Sequence, residues 1–161
     1  MEAVEEVTIE EVTIINGENT VLGRLASNVA KRLLCGEKIV IVNAEKVVVS
    51  GEPRKIIEIY KEKHQKRTLT NPKRGPFWPK QPDRFVKRTI RGMLPRHKTR
   101  GREAYKRLRV YIGIPDEYVD KKEVFEKISE AEATKLKCKK TSIKRIAEEL
   151  GWKGSSKLIR G

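Results

Sequence analysis

Two short runs of mostly β-branched residues, Val12–Asn16 (VTIIN) and Ile39–Asn43 (IVIVN), flank one stretch of helical periodicity. Between them Leu22, Leu25, Val29 and Leu33 recur on one helix face, with Ala26 and Ala30 alongside and Gly36 as the stop. IVIVN is unbroken by polar residues until its end, as befits a strand buried on both faces of a parallel sheet. Strand, helix and strand over this distance form a βαβ unit with a right-handed crossover. Val47–Val49 reads as another strand, ended by Ser50-Gly51. Pro53 to about Lys66 reads as a helix with proline in its first turn. Arg109–Ile112 (RVYI) is a further strand, and Thr141–Leu150 a last amphipathic helix stopped by Gly151. Asp116–Lys140 is mixed and charged, read as loop and a short helix. The pattern predicts an α/β fold, with a small parallel sheet and helices on both of its faces.

Charge is distributed very unevenly over this framework. Between Lys63 and Arg109 there are seventeen Lys/Arg against Asp83 and Glu103, so this segment alone accounts for the net charge of +15. A solvated face would intersperse carboxylates to limit self-repulsion. A one-sided excess predicts a polyanionic partner. RNA is favoured over DNA, because no helix-turn-helix, zinc-finger or zipper pattern is present. Thr70–Pro82 (TNPKRGPFWPKQP) holds four prolines and one glycine, has no periodicity, and is expected to be mobile alone and ordered on RNA. The next stretch reads as a helix with two unlike sides. Val86, Ile90 and Met93 fall on one side, and Arg84, Lys87, Arg88 and Arg91 on the other. Asp83 is the expected N-cap, and Pro95 the stop. Thr99 is the expected cap of a second short helix, Arg100–Leu108. The predicted RNA-binding residues are Lys73, Arg74, Trp78, Arg84, Lys87, Arg88, Arg91, Gly92, Arg96, Lys98 and Arg100. Trp78 is a base-stacking candidate, and Gly92 would permit close approach of a backbone.

Other chemistries find little support. The turn Asn16–Arg24 joins a strand to a helix, where phosphate could bind, but it lacks both GxGxxG and GxxxxGK[ST] and reads as a structural turn. Arg24 could still reach RNA. His64 and His97 have no cysteine nearby, and Cys35 and Cys138 stand singly, so neither a metal site nor a nucleophile is expected. The two thiols are expected to be reduced. Acidic residues avoid the basic segment, which leaves no acid–base pair there. No apolar run spans a bilayer and no secretory signal is visible. The expectations are no cofactor, no membrane, no small-molecule substrate and a cytoplasmic location. Two rival readings are a small nucleotide-binding or RNA-modifying enzyme and a free regulatory RNA-binding protein.

Three segments resemble the L-thirteen family of large-subunit ribosomal proteins, in its archaeal branch. They are Ile15–Gly51, Gly75–Phe85 and Arg88–Pro115, the last with the RGMLP core at Arg91–Pro95. The resemblance implies a three-layer α/β/α fold around a four-stranded parallel sheet of order 3-2-1-4, with a basic loop-helix insertion. It also implies a non-enzymatic component that binds large-subunit ribosomal RNA, joins early in assembly and touches neighbouring ribosomal proteins, the third large-subunit protein among them. The expected division is an N-terminal extension at 1–11, an RNA-binding domain at 12–115 containing the insert 63–109, and a C-terminal extension at 116–161 whose last helix packs on that domain.

Overall fold

The computed structural model describes residues 12–119 and 124–154, so the expected extension at 1–11 lies outside the described residues. The βαβ unit is present. Strand β1 (Val12–Asn16) and strand β2 (Lys38–Val42) pair in parallel, with Val12 opposite Lys38 and Asn16 opposite Val42. Helix α1 (Leu22–Cys35) crosses between them and buries Leu22, Leu25, Ala26, Val29, Ala30 and Leu33. Gly36 closes α1 in the left-handed region at φ 110°, where a side chain would be strained.

Further along the chain come β3 (Val48–Ser50), α2 (Pro53–Gln65), α3 (Pro82–Met93), α4 (Thr99–Lys106), β4 (Leu108–Val110), β5 (Lys140–Ser142) and α5 (Ile143–Glu149). The main sheet has three parallel strands in the order β1-β2-β4, and β3 instead pairs antiparallel with β5. Three strands of the four-stranded order 3-2-1-4 are therefore shown, and at the free edge of β1 the described residues add only a parallel bridge between Ile15 and Glu126. Only a 3-10 turn (Ala44–Lys46) and its flanking residues link β2 to β3. A parallel neighbour needs a crossover of a dozen residues or more, so β3 cannot lie beside β2 in that sense. The strand that completes β3 is Lys140–Ser142, whose last two residues were expected in the first turn of the final helix. Ser142 caps α5 instead, its hydroxyl accepting from the Arg145 N–H.

The expectation of helices on both faces also needs correction. Ile15, Ile39, Ile41 and Leu108 share one core with apolar residues from all five α-helices. Ile14, Val40 and Val42 point the other way by strand alternation. They are covered by Tyr111, Ile114, Tyr118 and Phe125, on a segment whose described residues include a 3-10 turn at Asp116–Tyr118. Tyr111, Ile114 and Tyr118 keep a helix-like spacing, but Gly113 and Pro115 interrupt it, and no α-helical layer forms there among the described residues.

The β1–α1 turn is built from its own polar groups. The Asn16 side-chain oxygen accepts from the Glu18 N–H and from the Asn43 side-chain amide, each at 3.0 Å. A Cβ on Gly17 would meet Val47 at 2.8 Å and the Val42 carbonyl at 3.0 Å, so the chain passes too close for any other residue. Arg24 stands exposed beyond the turn.

Candidate nucleic-acid interface

Helix α3 positions the basic face. Phe85, Val86 and Ile90 are buried in the main core, Val86 and Ile90 completely. Met93, expected on that side, is 43% exposed, and Phe85 takes its place in the core. The physical reason is the end of the helix: α3 stops at Met93, and Leu94 turns inward instead. Asp83 is not the N-cap. Gln81 precedes the helix, Pro82 fills its first position and Asp83 sits second, where its charge still suits the helix dipole. Thr99 likewise opens α4 rather than capping it, with Lys98 at the N-cap.

With the apolar stripe anchored, Arg84, Lys87, Arg88 and Arg91 are turned toward one concave cleft of about 550 Å³. Phe77 and Trp78 form one wall and Tyr105 of α4 contributes another; Asp83 is the one acidic residue lining it. Lys87 Nζ lies 5.2 Å from the Tyr105 ring centroid, and Arg88 stacks on Trp78 at 3.8 Å. Arg88 Nη1 also donates a 2.6 Å hydrogen bond to the Phe77 carbonyl, so this arginine ties the Pro-rich loop to α3. Burial, and after it the charge of Arg91, pull the Arg88 guanidinium below its usual value.

Five predicted residues, Trp78, Arg84, Lys87, Arg88 and Arg91, therefore meet in one place. Gly92 lies nearby, on a smaller pocket beside Trp78. The others do not line the cleft. Lys73 and Arg74 are exposed on a 3-10 turn, Pro72–Arg74, where the Asn71 side chain accepts from the Lys73 N–H at 3.1 Å. Arg96 and Lys98 are exposed at the α3–α4 corner. Arg100 donates at 3.2 Å to the Leu34 carbonyl near the C-terminus of α1, which commits part of its guanidinium to the fold. Trp78 is partly buried with Arg88 on its ring, whereas Phe77 is 70% exposed and is the open aromatic of the pair.

Sequence reasoning passed over Tyr105, Tyr60 and Lys63. Lys63 Nζ sits 4.7 Å from the Tyr60 ring and 5.4 Å from that of Trp78. Tyr60 stands four residues after buried Ile56, and this spacing was the available signal. His64 is partly buried beside them. Burial, then the Lys80 charge, hold its imidazole below the ordinary value, and hydrogen bonding with the Pro79 backbone opposes them. The ion pairs between described residues all lie outside 63–109, and they include Arg32 with Glu37 and Glu126, Lys46 with Glu18, and Lys61 with Glu149. The insert's cations are not neutralised by the described carboxylates.

A family sequence profile described as Ribosomal protein L13 matches residues 10–117. A protein of Archaeoglobus fulgidus named large ribosomal subunit protein uL13 is 43% identical over 147 residues, covering 90% of this chain and 91% of the relative. Its namesake from Saccharolobus solfataricus is 44% identical over 146 residues, covering 90% and 96%. That of Methanocaldococcus jannaschii is 54% identical over 105 residues, covering 65% and 77%.

Proposed function

This chain belongs to the ribosomal protein L13 family, and on that premise we propose that it is a structural constituent of the large ribosomal subunit that binds large-subunit ribosomal RNA and supports early assembly. It is a component of that particle in the cytoplasm rather than an enzyme, and its partners are the RNA and neighbouring ribosomal proteins. The RNA-binding domain is assigned to 12–115, the insert 63–109 carries the contacts, and 116–161 is an extension whose final helix packs on the same core.

One observation carries this reading: the cations of α3 line a concave surface without carboxylate partners, on a helix whose opposite side is locked in the core. Such a surface holds its charges at fixed positions before RNA arrives. Each Lys or Arg that meets a phosphate releases condensed counterions, so binding gains entropy from the solution. Arg84 and Arg91 can fork onto phosphate oxygens, and Lys87 acts as a point charge. Arg88 acts mainly by holding Phe77 and Trp78 in place. Lys73 and Arg74 on one side, and Arg96, Lys98 and Arg100 on the other, extend the contact as flanking cations.

The test is the salt dependence of binding to a large-subunit RNA transcript. Changing Arg84, Lys87 and Arg91 together to Gln should reduce the magnitude of the log–log salt slope by about 2–3, at about 0.7–0.9 per contact. An unchanged slope would remove these residues from the interface.

A further inference from the structure

The second pocket beside Trp78 has a different character from the cationic cleft. It encloses about 240 Å³ between α2 and α3, and its lining includes Tyr60, Lys63, Trp78, Phe85 and Gly92. Arg88 and Trp78 line both cavities, so their stacked pair is the partition between them. Tyr60 and Phe85 pack with ring centroids 4.8 Å apart at 58°, giving an aromatic floor. Lys63 stands at the aromatic wall, over both Tyr60 and Trp78, and no carboxylate lines the pocket.

Gly92 supplies a second, independent observation. It lies in the last turn of α3, outside the left-handed region, so the backbone does not require glycine there. A Cβ built on it would meet nothing within 4 Å. Glycine in a helix costs stability relative to alanine. Here that cost leaves an open space at the edge of an aromatic pocket. Flat apolar walls, adjoining cations and the absence of lining acid describe a receptor for an aromatic ring that carries negative charge beside it.

We propose that this pocket takes one unstacked RNA base, with the adjoining phosphate on Lys63 while the rest of the strand follows the cationic cleft. This rests on the reading that the insert faces RNA, and it adds a base subsite made of Tyr60, Lys63, Phe85 and Gly92. Single-stranded RNA is held in this manner, by stacking on aromatic side chains beside a basic track. Duplex RNA keeps its bases stacked inside and can engage only the phosphate-binding part.

The experiment uses the full chain with Trp152→Phe, leaving Trp78 as the fluorescent reporter. It is titrated with a single-stranded oligouridylate and with an RNA duplex of equal phosphate number. The single strand should quench Trp78 emission, and the duplex should bind with little quenching. Gly92→Leu, which fills the pocket, should abolish the quenching and weaken single-strand binding about tenfold, with duplex affinity unchanged. Its thermal midpoint should not fall, and Gly92→Ala provides a milder variant of the same kind. Equal quenching by both RNAs, or single-strand binding indifferent to Gly92→Leu, would overturn the base subsite while leaving the phosphate-binding reading intact. Failure of both RNAs to bind would overturn both readings.

Discussion

Arg88 illustrates how a charged residue on a cationic helix face can be committed to the fold. Its guanidinium is stacked on Trp78 and bonded to the Phe77 carbonyl, so removing it releases the loop as well as a charge. That it was basic and lay on the polar side of a helix was legible from its spacing with Arg84, Lys87 and Arg91. Its use was not, because Phe77 and Trp78 reach it only when the Pro-rich loop folds back. Gly101 makes a sharper residue-scale case. It lies in the first turn of α4, and a Cβ there would stand against the Pro95 carbonyl, backbone that cannot rotate away. Alanine normally stabilises a helical glycine position by roughly 0.5–1 kcal/mol. At Gly101 the sign should reverse, with a loss of about 1–3 kcal/mol from forcing the α3–α4 corner apart. Chemical denaturation of Gly101→Ala is the check, and an unchanged or raised stability would contradict the tight corner.

At the scale of elements, α3 separates two tasks onto two faces. Ile90 is fully buried in the core, so Ile90→Ala should cost about 2–5 kcal/mol. Arg84 is exposed, so Arg84→Gln should change stability by no more than about 0.5 kcal/mol. Binding should show the reverse order: Arg84→Gln should shrink the salt slope, and Ile90→Ala, measured where it remains folded, should leave it alone. Urea titration and salt-dependent binding on the same two variants separate the faces, and a matched loss in both assays for either variant would show that they are coupled. The existence of α1, α2, α3 and the parallel pair β1–β2 was legible because each carries a local repeat or a local stop. The partner of β3 was not. Lys140–Ser142 has one buried residue and no strand-like pattern of its own, and it becomes a strand through hydrogen bonding with residues 48–50. The covering of the second sheet face by Tyr111, Ile114, Tyr118 and Phe125 was equally hidden, since Gly113 and Pro115 break the spacing of the first three.

For the whole molecule, the decisive property is that a near-neutral scaffold carries one concentrated block of positive charge. Composition alone revealed the block, because charge segregation along a chain is visible before folding. The cleft that gathers four of its cations was not visible, because it requires α3, α4 and the Pro-rich loop to meet. Segregated charge gives salt two opposing effects. In the free protein, cations crowded on 63–109 repel one another, and added salt screens that repulsion with a Debye length of about 10 Å at 0.1 M. The thermal midpoint of the free protein should therefore rise as salt increases from low concentration. With RNA bound, phosphates neutralise the block, and the ligand stabilises the folded state in proportion to its affinity. Added salt weakens that affinity, so the midpoint of the complex should fall over the same range and converge on that of the free protein. Melting curves of the two samples across one salt series test this directly. A free protein that loses stability with salt would mean that the insert's charges are balanced by carboxylates in the fold, and the case for a standing cationic surface would be lost.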